Sequence, residues 1–253
     1  MANRSRTAEA LVLSLGEFGE GHRMVRLFIK EDTTCSLLHA ALYGGAKSKA
    51  RSSIAPYQTG TVWLYSNPIK NTHSITDFAI TSYRFSIRES LVRLWSAALC
   101  AELIDATKGN ISWVLVNAFL DGIENLPDNE CKVALIRFLW RVLLGEGIAP
   151  EIDCCAACRK SFTDLLANEY FYYHTHEELC LCSSCSDISQ SGFQLSKEAL
   201  FFLLAVKEKP PAYSRALPLS QQTYGMLRRF LFYLITKMNG KKLNTIESAQ
   251  GLL

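Results

Sequence analysis

Residues 8–80 break into five short runs rich in β-forming residues, at 8–15, 24–29, 35–43, 60–65 and 73–80. Turn material separates them at 16–20, 30–34, 44–47 and 66–71. Five short antiparallel strands in about 80 residues predict a small barrel, and the OB-fold is the five-stranded form. A sandwich edge or an SH3-like barrel would give nearly the same pattern. From about residue 84 the period changes. Ile87, Leu91, Leu94, Ala98, Leu99, Leu103 and Ile104 recur at three- and four-residue steps, the apolar stripe of a helix. A second helix is predicted over 113–126, stopped by Pro127, and a third over 131–144, stopped by Gly145, Gly147 and Pro150. Ser196 can N-cap a helix to about 207 that Lys209, Pro210 and Pro211 end. Ser220 can cap a last one through Lys237, closed by Asn239 and Gly240. The class predicted is α+β with more than one domain. An N-terminal OB-fold β-barrel covers 1–80, and an all-α domain covers 81–253 with a cysteine-rich insert at about 151–190.

Composition narrows the setting. An apolar share of 49% beside 20% charged residues fits a chain that buries a core. The apolar run near the start is interrupted by Glu9 and followed by Glu17 and Glu20, which does not suit a secretory signal. The apolar stretch at 199–206 is far short of the roughly 20 residues that span a bilayer. The expectation is a cytoplasmic, nucleoid-associated protein that does not enter a membrane. Cytoplasmic thiols stay reduced, so the nine cysteines are not read as a disulfide framework.

Six of those nine fall between 154 and 185. Cys155 and Cys158 form one C-x-x-C knuckle, and Cys182 and Cys185 form another. Each such turn brings two sulfurs to one side of a bend, and two turns close a tetrahedron around one structural Zn2+ with no position left for water. Cys154 and Cys180 are read as spare thiols, with Cys180 a possible substitute ligand. Competing readings are buried reduced cysteines without metal, or a redox pair, although the βαβ pattern that usually accompanies such a pair is absent. His176, Glu178 and the second knuckle imitate a zinc-deaminase signature. The step of four positions from Glu178 to Cys182 is too short for it, no proline precedes the knuckle, and Cys155 and Cys158 would be idle. His174 and His176 are expected on the surface of a hairpin at 170–176. No Walker loop, no G-x-S-x-G and no paired carboxylates in an apolar setting appear, which leans away from an enzyme.

Charge is unevenly placed. Residues 1–80 hold nine Lys or Arg against six Asp or Glu, which accounts for the net charge of +3. Lys47, Lys49 and Arg51 alternate beside Gly44 and Gly45, so an extended loop would present them as a row suited to a phosphate backbone. Arg23 and Arg26 join them as candidate nucleic-acid contacts. Tyr43, Tyr57, Trp63 and Tyr65 are candidate stacking faces, or else barrel filling. Arg228, Arg229, Lys241 and Lys242 form a second basic element.

Several segments in this order resemble the RecO family of bacterial recombination mediators. They are the opening strand and turn at 10–20, the loop Tyr-Gly-Gly-Ala-Lys-Ser-Lys at 43–49, the helix and knuckle at 136–158, and Asn-Gly-Lys-Lys-Leu at 239–243. The chain departs from the family at Arg159, where a glycine is common, and in the added Cys154 and Cys180. The resemblance implies an OB-fold, a helical domain with a zinc insert, and a non-enzymatic role. That role is to bind and anneal DNA strands and help load recombinase onto DNA coated by single-strand-binding protein. The implied partners are single- and double-stranded DNA, RecR and the acidic C-terminal tail of single-strand-binding protein, with the chain a monomer on its own. It further implies that Arg137 receives that tail's carboxylates, with Phe138 in its pocket. The alternative is a zinc-stabilised protein–protein adaptor that never touches nucleic acid.

Overall fold

A computed structural model describes residues 5–19, 21–44, 54–166, 169–186, 192–249 and 252. The chain forms two compact units, Met1–Leu126 and Pro127–Leu253. The sequence boundary at 80/81 marks the change from strand to helix, whereas the compact units part after two helices have joined the barrel.

In the first unit β1 (Ser5–Phe18), β2 (His22–Glu31), β3 (Thr34–Leu42), β4 (Thr59–Asn67) and β5 (Thr72–Ser82) close a barrel in the order β1-β2-β3-β5-β4. Neighbours run antiparallel except β3 and β5, which meet in parallel at Ala41 and Ser74. Period-two alternation sends Ala8, Ala10, Val12, Val25, Leu27, Ile29, Val62 and Leu64 into the interior. Gly60 is required where β4 approaches β5, because a Cβ there would meet the Ala79 carbonyl oxygen at 2.2 Å.

Leu11 and Phe28 point the other way along their strands and are also buried. The two helices explain this. α1 (Leu91–Ala106) and α2 (Trp113–Ile123) are capped by Ser90 and Ser112, whose hydroxyls accept from Arg93 N–H and Leu115 N–H. The Trp113 ring packs on Phe28 with centroids 5.4 Å apart, and Arg26 pairs with Asp105 at 2.7 Å. Arg93 donates to the carbonyls of Glu124 and Leu126, closing the orphaned end of α2.

The single helix expected from residue 84 is broken, and Arg84 is the cause. Its backbone is left-handed (φ 50°), a conformation that costs about 1–2 kcal/mol outside glycine. The side chain is 3% exposed. It donates to Asp121 Oδ1 (2.7 Å), the Tyr57 carbonyl (2.8 Å), Thr59 Oγ1 (2.8 Å) and Asn117 Oδ1 (2.9 Å). Four charge-assisted bonds at about 1.5–3 kcal/mol each exceed the backbone cost. A 3-10 turn, Phe85–Glu89, follows, and α1 starts only at Leu91.

In the second unit α3 (Asp128–Gly145) opens with Asp128 and Glu130 in its first turn, the sign its dipole favours. Then come β6 (Tyr170–His174), β7 (Leu179–Cys182) and β8 (Phe193–Ser196), a three-stranded sheet in the order β7-β6-β8 where a hairpin alone is expected from sequence. α4 (Lys197–Glu208) is capped by Ser196. Pro211 does not merely end it, because it also begins α5 (Pro211–Ala216), where a missing N–H costs nothing. α6 (Gln221–Asn239) starts at the Ser220 cap and ends on left-handed Gly240, and α7 (Asn244–Ser248) follows. Leu139, Trp140, Leu203, Phe230, Leu231 and Leu234 are among the residues that fill this core. The Trp140 indole N–H is satisfied by the Leu203 carbonyl at 3.1 Å. No helix among the described residues is long and apolar enough to cross a membrane.

Candidate metal centre and electropositive face

The sulfurs of Cys155, Cys158, Cys182 and Cys185 all lie within 4.8 Å of one another. Local hydrogen bonds shape both knuckles. Cys155 N–H donates to the Lys160 carbonyl and Arg159 N–H to the Cys155 carbonyl. Arg159, directly after the first knuckle, holds a left-handed backbone at φ 62°. In the second knuckle the N–H groups of Cys185 and Ser186 both donate to the Cys182 carbonyl, at 3.0 and 2.9 Å. β7 carries Cys182 to the cluster, and Cys182 N–H donates to Cys155 Sγ at 3.4 Å.

The Cys158 and Cys182 sulfurs are 3.7 Å apart. That is far longer than a disulfide of about 2.05 Å. A tetrahedron with metal–sulfur arms of about 2.3 Å has edges of about 3.8 Å, so the spacing fits one four-coordinate metal ion. Burial opposes ionisation of Cys155, but the amides of Cys158, Cys182 and Ala157 outweigh it and hold this thiol at about 6. Cys185 is pushed up to about 12, first by the Cys182 and Cys158 side chains. Cys180 is buried and likewise pushed up to about 12 by burial and then by Cys155. Neither Cys180 nor Cys154 belongs to the group of four.

His174 corrects an expectation. It is 4% exposed rather than at the surface. Its Nε2 meets Ser186 Oγ at 2.8 Å and its Nδ1 meets Glu177 Oε2 at 3.2 Å, bracing β6 against the second knuckle. β6 is an inner strand covered by the helical core, so the alternation that exposes a hairpin's outer face does not operate here. His176 is exposed as expected.

Arg137 on α3 is 8% exposed, and no described residue gives its guanidinium a hydrogen bond or an ion pair. Burial, then Arg141 and Arg215, push it down to about 10, with Glu130 acting the other way. Arg141, whose Nη2 reaches Ser214 Oγ at 3.4 Å, is also pushed down by burial and by Arg215. Three guanidiniums therefore converge with weak compensation, an arrangement suited to an incoming carboxylate or phosphate. Arg141 was not singled out from the sequence, although its place as the i+4 neighbour of Arg137 could have found it. Arg215, from α5, carries no such signal. Phe138 is 2% exposed and packs inside the unit, so Arg137 alone of that pair reaches solvent.

The candidate DNA contacts differ among themselves. Arg26 is engaged by Asp105 and lies 3.2 Å from His39 Nε2, which ties it to α1. Arg23 sits partly buried on β2 opposite Glu17 of β1. Lys47, Lys49 and Arg51 lie outside the described residues. Tyr43 is exposed beside Phe18 and His22, and Trp63 and Tyr65 stand on the outer face of β4. Tyr57 is half-buried, and its carbonyl accepts from Arg84. Two exposed aromatics that the sequence pattern did not single out, Tyr83 ahead of the predicted helix and Phe85 at its start, stack on one another.

A five-stranded OB-like barrel in one unit, and a helical unit carrying four clustered cysteines in the other, define a two-unit β-barrel protein with a metal-knuckle insert. The family model described as Recombination protein O C terminal matches residues 88–245. The chain belongs to the RecO family. It is 26% identical over 194 residues to the DNA repair protein RecO of Shouchella clausii, covering 74% of this chain and 72% of that protein. It is 23% identical over 233 residues to the DNA repair protein RecO of Pelotomaculum thermopropionicum, covering 90% and 87%. The DNA repair protein RecO of Nitratidesulfovibrio vulgaris is 21% identical over 211 residues, covering 81% and 83%.

Proposed function

We propose that this protein is a non-enzymatic mediator of DNA repair and recombination, binding single-stranded and double-stranded DNA through basic surface. It anneals strands and helps load recombinase onto DNA coated by single-strand-binding protein. Family membership supports the repair role. The observation that carries the partner side is the convergence of Arg137, Arg141 and Arg215 without an ion pair. In this reading Arg137 forks onto the carboxylates of the acidic C-terminal tail of single-strand-binding protein, and Arg141 and Arg215 add field. Phe138 acts from inside, by fixing the helix that presents Arg137. RecR is a second partner. The cation held by Cys155, Cys158, Cys182 and Cys185 is Zn2+, and its chemistry is structural, since four sulfurs leave no open position for a substrate.

On the DNA side, Lys47, Lys49 and Arg51 with Arg23 neutralise phosphates, while Arg26 holds the barrel to α1. Counter-ion release then drives binding and makes it steeply salt-dependent. The chain works as a monomer in the cytoplasm, at the nucleoid. The test pairs tail-peptide binding with strand annealing. A chain that binds the peptide but shows no affinity for DNA at low salt is instead the zinc-stabilised adaptor, and the annealing role falls.

A further inference from the structure

Tyr83 and Phe85 flank Arg84 and are 48% and 58% exposed, with ring centroids 5.1 Å apart and planes 24° from parallel. Large aromatic rings left in water while stacked on each other are costly to leave uncovered, and here the fold enforces it. Arg84 is turned inward by its left-handed backbone and held there by Asp121, Asn117, Thr59 and the Tyr57 carbonyl. Its two neighbours are thereby turned out together. The turn that follows is 3-10, in which residues three apart eclipse, so Arg88 lies on the same edge as Phe85. Arg88 is exposed and is anchored through Nη2 to the Pro56 carbonyl at 3.1 Å. Glu89 is one step further round the turn, off that edge.

Two flat rings with a cation beside them match a partner that carries both a π-face and an anion. The patch consists of two rings, Arg88 and exposed Leu91, whereas a stable protein interface takes about 20–30 residues a side. We infer that Tyr83 and Phe85 form a stacking platform for an unpaired base of single-stranded DNA, with Arg88 meeting the adjoining phosphate. This rests on the reading that the chain binds single strands, and it adds a base-reading site away from the basic loop. Stacking of this kind tolerates every base, because every base has a π-face.

The test uses the full chain with its metal verified and two labelled strands of equal length, oligothymidylate and an abasic phosphodiester. The wild type should prefer the strand with bases, and the paired change Tyr83→Ala with Phe85→Ala should weaken it roughly tenfold on that strand alone. The conservative pair Tyr83→Phe with Phe85→Tyr should restore it. Arg88→Ala should weaken binding to both strands. If the wild type binds both strands and the alanine pair changes neither, or changes both equally, the platform is overturned while DNA binding stands. If the wild type binds neither strand, the DNA reading itself fails and takes the platform with it. Loss of binding to a protein partner with DNA binding intact would also overturn it.

Discussion

The Cys182 amide donates to the Cys155 sulfur at 3.4 Å, tying the second knuckle to the first across 27 residues. Without a cation this bond helps hold negative charge on Cys155. With one, it orients a ligand.

Metal content follows directly. The purified chain should carry about one zinc, and Cys158→Ser or Cys182→Ser should bring this near zero while lowering Tm, both read by elemental analysis and a thermal melt. Ligands must be deprotonated to bind, so protons compete with the metal for all four sulfurs and zinc affinity should fall steadily as pH is lowered. Full retention in either variant would remove that sulfur from the set.

Arg84 should be a stability residue. Arg84→Ala takes its donor from the Tyr57 carbonyl and one bond each from Thr59 Oγ1 and Asn117 Oδ1, which keep only the bond between them, and should cost about 2–4 kcal/mol in urea unfolding. Asp121 is 55% exposed on its side chain and can rehydrate, which keeps the loss from being larger. Arg84→Lys should recover little, because an ammonium cannot reach four acceptors in a fork.

Glu198 couples stability to pH. It accepts from Ser220 N–H at 2.7 Å and from the hydroxyls of Ser220 and Thr223, joining the starts of α4 and α6. Burial raises its carboxyl, but these bonds prevail and lower it below the ordinary 4.5. A lowered folded value means that the contribution is complete above about 4.5 and is lost as pH falls through the folded value. Glu198→Gln should therefore flatten the acid limb of Tm against pH. The effect is modest because the group is exposed.

Arg137→Ala should weaken binding of an acidic, phenylalanine-ending tail peptide by tenfold or more, while leaving affinity for naked DNA unchanged. Arg137→Lys should recover part of it. Calorimetry with the peptide reads this, and equal affinity in all three chains would remove Arg137 from that role.

Much of this fold was legible because its signals are local. The caps Ser196 and Ser220, the stop at Gly240 and the five β-rich runs each depend on residues within one turn or one strand. The two C-x-x-C knuckles were legible for the same reason, since each spacing is itself the geometry of a turn. What escaped depends on distant partners. The break at 84–90 arises from Asp121 and Asn117, more than thirty residues on, which hold Arg84 against the helical period. The burial of His174 comes with its contact to Ser186 in the second knuckle, twelve residues on, which the pattern of the hairpin does not record. Arg215 reaches the face of Arg137 through tertiary packing, which no spacing along the chain records.

The proposed function requires a DNA-binding surface beneath a net charge of only +3. The most direct measurement is single-strand affinity against salt concentration, on zinc-verified chain, for the wild type and for a charge reversal of Lys47, Lys49 and Arg51. The account predicts a steep fall of log affinity with log salt in the wild type, and a weaker, flatter dependence in the reversal. An affinity and slope that the reversal leaves unchanged would contradict it.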